Sequence, residues 1–278
     1  MKTLLLTVIC LSYFTLQAQD FQGKAVYKTH NAVSINVSND KGVVDKSFQK
    51  KLKERLKKMS EKTYTLQFNK TTSIYTQNKK LSSEAQSGGV QVFMIGDDGG
   101  NDVLYKNISA KNYTNKKEVS GKRFLIEDAL TDVAWEMTSE TKKIGNYTCY
   151  KALKTRKEAH KSFIITDGEK EETKKIVDIT TTAWYTPEIP VSNGPGMYWG
   201  LPGLILEIQE GKQTIACTEL VLNPKDKIVI KKPKKGKKIS QAKFDELMIE
   251  KTKEMMERFN NKRKSKKNGD AIHIEIQG

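Results

Sequence analysis

Cysteine and histidine are scarce in this chain, and their scarcity removes most of the chemistry a sequence can advertise. There are three cysteines, Cys10, Cys149 and Cys217, and three histidines, His30, His160 and His273, none with a ligand partner close by in sequence. Metal-binding spacings are therefore absent, and so are a Gly-x-Ser-x-Gly elbow, a His-Glu-x-x-His helix, a phosphate loop and a dinucleotide fingerprint. No catalytic, cofactor-binding or metal residue is assigned, and the expectation is a protein that is not an enzyme. A nucleophile pair of Cys149 with His160 is the one arrangement that spacing leaves open, since such groups assemble in space. The aspartates in 96–102 can ligate calcium, but Asp and Gly between two apolar runs read first as a hairpin turn.

Long apolar runs are missing too, apart from Leu4 to Leu16, which is shorter than the ~20 residues of a membrane-spanning helix. With Met1-Lys2-Thr3 before it and Gln17-Ala18-Gln19 after it, this stretch reads as a secretory signal peptide, residues 1–19. The protein is then expected to be exported, in the periplasm or associated with the outer membrane, with no transmembrane segment once the signal is removed. In an oxidising compartment the remaining thiols, Cys149 and Cys217, permit a single disulfide; two buried free thiols are the alternative, and spacing does not choose between them.

Negative charge is the minority sign: 49 Lys and Arg face 33 Asp and Glu, a formal charge of +16. Arginine is scarce and the lysines are not interleaved with aromatics that stack bases, which excludes nucleic acid as the expected partner. A weak contact with an anionic membrane surface fits better.

What is present is mostly alternation. Residues 20–278 read as a single β-rich domain. Strands are expected through Phe21 to Val37, 63–69 and 73–76 joined at Asn69-Lys70-Thr71, 102–108, 111–119, 122–128, 147–153, 163–166, 177–185, 204–209, 214–222 and 227–232. The charged stretch 167–175 reads as a hairpin tip. Two segments change period: 45–60 carries Phe48, Leu52, Leu56 and Met59 at helical spacing, and 240–263 opens on Ser240 as a cap. Between them and the end lie a basic linker, 231–239, and a tail or strand, 268–278. The expected class is α+β, a large curved antiparallel sheet, open or closed to a half-barrel, with two amphipathic helices.

Four of the six prolines fall in one window with two of the three tryptophans, from Trp184 to Ile208. Proline and glycine make 187–203 an ordered loop, with Leu201-Pro202-Gly203-Leu204 as a type II turn and Gly203 at positive φ. Leu204, Leu206 and Ile208 are expected on one buried face, with Ile205 and Glu207 opposite. The loop displays Met197, Tyr198 and Trp199 as candidate partner-binding residues.

Gly200-Leu201-Pro202-Gly203-Leu204-Ile205, with Ala183-Trp-Tyr-Thr-Pro-Glu-Ile-Pro190, Asn193-Gly-Pro195, Trp135 and Lys143 to Ala152, resembles the signature of the GLPGLI family of exported Bacteroidota envelope proteins, whose biochemical function is not established. The resemblance runs from Trp135 to Ile208 and implies export and a structural role for the motif. It makes association with an outer-membrane protein or transport system the expected partnership. Two functions follow as expectations: a non-catalytic binding or accessory module, or a carrier holding a lipid or other hydrophobic ligand in a cavity of the curved sheet, similar to lipoprotein-carrier folds.

Overall fold

A computed structural model describes residues 21–31, 34–39, 42–43, 47, 50–51, 54, 61–78, 101–166, 169–265 and 272–277. In chain order the elements are β1 (Gln22–Asn31), β2 (Ser34–Asn39), β3 (Gly42–Val43), β4 (Lys62–Asn69), β5 (Thr72–Gln77), β6 (Val103–Asn107), β7 (Asn112–Val119), β8 (Lys122–Ala129), β9 (Glu136–Ile144), β10 (Tyr147–Thr166), β11 (Glu169–Thr186), β12 (Leu204–Glu210), β13 (Gln213–Leu222), β14 (Lys237–Ile239), α1 (Gln241–Ser265) and β15 (Ile272–Gln277). Twelve strands form one open sheet in the order β14-β8-β7-β6-β5-β4-β1-β13-β12-β11-β10-β9, and β15-β2-β3 form a small second sheet.

The class is mostly β rather than α+β: strands make up more than half of the described residues, among which one continuous helix is present. Of the helix expected over 45–60 only Ser47, Lys50, Lys51 and Glu54 are described, in helical conformation, and the rest lies outside the described residues. The signal segment 1–19 and most of 96–102 also lie outside the described residues. The 240–263 helix is present as α1, where Ser240 Oγ accepts from Lys243 N at 3.4 Å and Asp128 Oδ2 from Gln241 N at 3.1 Å. Phe244 anchors it edge-on against Phe124, ring centroids 5.9 Å apart. Among the described residues no helix is long and apolar enough to cross a membrane.

Strand assignments also change, and 227–232, expected as a strand, has no regular structure. Lys237–Ile239, expected in a linker, pairs parallel with Phe124 to Ile126 as the edge strand β14; backbone bonding at a sheet edge leaves both lysine side chains in water. Of the hairpin tip expected over 167–175, residues 169–175 are strand, because β10 and β11 run 20 and 18 residues and pair from Tyr150↔Tyr185 to Thr166↔Glu169; 167–168 lie outside the described residues. β9 reaches only to Leu153 and β12 only to Thr181, so beyond them β10 and β11 pair with each other as a two-stranded ribbon. Nothing there requires apolar alternation, which is why charge reads as loop.

The register carries one inner face across the sheet. Lys106 pairs with Ser73, Phe68 with Gly23, Tyr27 with Cys217, Ile215 with Ile208, and Ile208 with Ala183, and paired residues of antiparallel strands point to the same side. Leu66, Phe68, Tyr27, Ile208 and Ala183 on that face are all fully buried. One detail departs from simple alternation. Trp184 pairs with Glu207 but Tyr185 with Ile205, so Leu206 is the extra residue of a bulge. Ile205 therefore shares the inner face with Ile208 instead of opposing it, and Leu204, Ile205, Leu206 and Ile208 are all buried.

Candidate functional site

The segment 187–203 between β11 and β12 lies against this inner face. Its backbone folds on itself in short steps: Val191 N donates to Ile189 O, Asn193 N to Val191 O, and Tyr198 N to Pro195 O, at 2.8, 2.8 and 3.1 Å. It is then sewn to the start of β12, Leu204 N donating to Ile189 O at 3.0 Å and Ile205 N to Asn193 O at 2.9 Å. Ile189, Val191, Trp199 and Leu201 are buried within the main core.

The expected type II turn is not there. Leu204 N is committed to Ile189 O, and Gly203 does not have positive φ; Gly200 does, at +97°. Gly203 is required for a different reason. A Cβ at this position would fall on the Thr186 carbonyl and 2.9 Å from Pro187 N, so the chain passes its own entry point too closely for any side chain.

Two side chains from elsewhere in the chain, one on β6 and one just before β9, hold the segment. Trp135 Nε1 donates to Trp199 O at 2.8 Å. Lys106 of β6 donates from Nζ to Gly194 O at 2.9 Å and to Tyr198 O at 3.1 Å, while itself fully buried. At its other end Tyr198 points its hydroxyl at Glu210 Oε2, 3.4 Å away on β12. β6 and β12 are five steps apart in the sheet, roughly 24 Å if it were flat at ~4.8 Å per strand. One tyrosine meets both, so the sheet curls around the segment.

The electrostatics are uneven. Glu210 takes both guanidinium nitrogens of Arg156, at 2.7 and 2.9 Å, and a bond from Thr181 Oγ1. The guanidinium holds the Glu210 carboxyl below its usual range. Burial pushes the Tyr198 hydroxyl up to about 12, which keeps it a donor. Lys106 has two carbonyls and no carboxylate. Two hydrogen bonds return about 1–3 kcal/mol each, less than the several kcal/mol for burying an unpaired ammonium. Burial accordingly brings its amine down to about 7. Ser73 Oγ, across the β5–β6 pair from Lys106, and Asn193 Nδ2, next to Gly194, are buried without a hydrogen-bond partner.

Of the residues expected to meet a partner, Trp199 is 5% exposed and belongs to the core; Met197 is 43% exposed and Tyr198 half-buried. The motif residues Leu201, Gly203, Leu204 and Ile205 are buried, while Gly200 and Pro202 reach the surface. Sequence reading passed over Lys106, Arg156, Glu210 and Thr181. For Lys106 a signal existed, since alternation puts it on the same side as Leu104 and Ile108, a lysine in an apolar row.

Cys149 and Cys217 carry free thiols, with β11 and β12 between their strands. Both side chains face the interior, where Cys149 lies near enough to help raise the Cys217 thiol, and the two are not bonded. Burial raises both thiols to about 11, so neither is a ready nucleophile. His160 lies on the same extended strand as Cys149, eleven residues on and roughly 36 Å away, which separates that pair. Thiol labelling of the denatured, unreduced mature protein is expected to count two reactive cysteines; a count of zero contradicts this placement. Among the described residues no cluster of His, Cys, Asp and Glu is arranged to hold a metal ion.

Residues 135–207 match the model of a family described as a protein of unknown function, Porph_ging. The match begins at the tryptophan that clasps the segment and ends in β12, so it covers the crossing and the strands that frame it. No curated protein matches the chain. Among solved structures, the chain is similar to PNGF-II in space groups C2 and P21, each at 14% identity and a TM-score of 0.48, over 82% of this chain. It spans about a third of their length, 32% and 33% respectively.

Proposed function

We propose that this chain is an exported envelope protein of the GLPGLI family that acts by binding, as a non-catalytic accessory module associated with the outer membrane. The observation that carries the reading is the filled inner face. A carrier needs an apolar interior of about 300–1,000 Å3 for its ligand, and here Ile189, Val191, Trp199 and Leu201 occupy the space the curled sheet surrounds. The same segment turns Met197 outward, an exposed apolar side chain on backbone that Lys106 and Trp135 hold at Gly194, Tyr198 and Trp199. The protonated thiols and the separation of Cys149 from His160 favour binding over catalysis. The partner this family resemblance suggests is an outer-membrane protein or transport system.

The test is capture from the native envelope with wild-type protein and with Met197→Asp. The expected outcome is an outer-membrane protein retained by the first and lost by the second; identical partner lists remove Met197 from the recognition surface. Solvent extraction of the same purified protein is expected to release no stoichiometric lipid. One lipid per chain would favour the carrier.

A further inference from the structure

We propose that the open groove between α1 and the β14–β8 edge is a docking surface for a lipid bilayer bearing anionic headgroups. The inference rests on the export reading above, since only an exported or membrane-apposed chain meets such a surface. The groove is an open trough of about 600 Å3 on the surface, not an enclosed cavity. Its floor is apolar, made by Val119 and Phe124 from the sheet, Ile239 of β14 and Leu247 of α1. Its rim is basic. Among the described residues Lys122, Lys237 and Lys243 have no carboxylate partner, whereas Lys251 is tied to Glu254 at 2.8 Å. Glu246 and Glu250 also line it and temper the field without cancelling it, because of what lies alongside.

Leading into β14 is the strap 225–238, with eight lysines and one aspartate, every one of those lysines exposed. Glu127 bonds Lys232 and Lys238 at 2.9 and 3.1 Å, which fixes the strap beside the groove and leaves most of its charge outward. Val229 on the strap and Ile249 on α1 are 61% and 71% exposed, apolar groups set among cations. Basic charge with scattered apolar side chains over a shallow apolar trough is the complement of a headgroup layer above acyl chains. Neither the strap nor the groove lining contains arginine, so the bidentate fork used against individual carboxylates is missing, which favours diffuse surface charge over an acidic protein.

The test is flotation of the purified protein with vesicles of phosphatidylcholine, alone or mixed with phosphatidylglycerol, beside a titration with polyglutamate. Binding is expected only to the mixed vesicles and is expected to fall away at roughly 0.5 M salt. Each basic residue near such a surface strengthens binding roughly five-fold, so reversing three charges in Lys122→Glu, Lys237→Glu, Lys243→Glu should weaken it by more than about a hundred-fold. Lys24→Glu, Lys28→Glu, Lys157→Glu, at exposed positions elsewhere, should weaken it far less. If the first triple does not fold, the three glutamine replacements give the same ordering with a smaller loss. Absence of binding to mixed vesicles, equal losses from both triples, or equal affinity for polyglutamate each overturns the proposal. Failure of the export reading shows separately, as an uncleaved N-terminus in the cytoplasmic fraction, and leaves the flotation result standing.

Discussion

A Gly203→Ala chain is expected to fail to fold, or to lose more than about 4 kcal/mol of stability. The new methyl group would land on the Thr186 carbonyl, and that group cannot step aside. Thr186 is paired with Leu204 and accepts from Ile189 N at 3.3 Å, so displacing it unpicks both ends of the crossing at once. Since a domain of ordinary stability has only about 5–15 kcal/mol in hand, little would remain. Gly196→Ala is the matched control. Its φ is +54° and a Cβ there meets nothing, so the expected loss is the roughly 1–2 kcal/mol of a left-handed residue alone. Urea unfolding midpoints of the two variants measure the difference; equal midpoints would mean that the close approach of 203 to 186 is not a constraint on the fold.

Replacing Lys106 by methionine is expected to change how stability depends on pH as well as its size. In the unfolded chain the amine keeps its proton to about pH 10, whereas in the folded chain burial releases it near 7. Between those values the unfolded state binds the extra proton, so wild-type stability climbs with pH across that window. Below about 7 both states are protonated and this contribution is flat. Summed over the window, the gain is on the order of 5 kcal/mol. Lys106→Met lacks that slope and leaves Gly194 O and Tyr198 O without their donor, at about 1–3 kcal/mol each. The gap between wild type and variant should widen from pH 7 to 10 in chemical denaturation. A gap that stays constant would mean that Lys106 keeps its charge inside the protein.

How much of this was legible in the sequence depends on how far each interaction reaches. The turn at Asn69 was readable because its cause is local: Asn69 Oδ1 accepts from Thr71 N and Thr72 N at 2.9 and 2.7 Å. The cap of α1 was readable for the same reason, and so was the ordered character of 187–203, which prolines and glycines impose on their own backbone. The Leu206 bulge was not, because it arises from matching β12 to β11, and a two-residue period carries no mark of its partner's register. Gly203 was assigned to the right requirement for the wrong cause: glycine is needed both for positive φ and for close approach, and only the position of Thr186 distinguishes them. β14 was hidden by its lysines, since a short edge strand is held by backbone and exposes its side chains. The burial of Lys106 follows from the curl of five strand steps, which no window of sequence contains.

Amide hydrogen exchange in the native protein tests the central claim most directly, that the segment 187–203 is the packed interior of the curled sheet. Val191, Asn193, Leu204 and Ile205 N–H groups are bonded within it or to its junction with β12, and they should exchange only on global unfolding, as slowly as the amides of Leu66 and Phe68 in β4. Exchange at the rate of an open surface loop, with β4 still protected, would show that the segment does not fill the sheet, and the account built on it would fail.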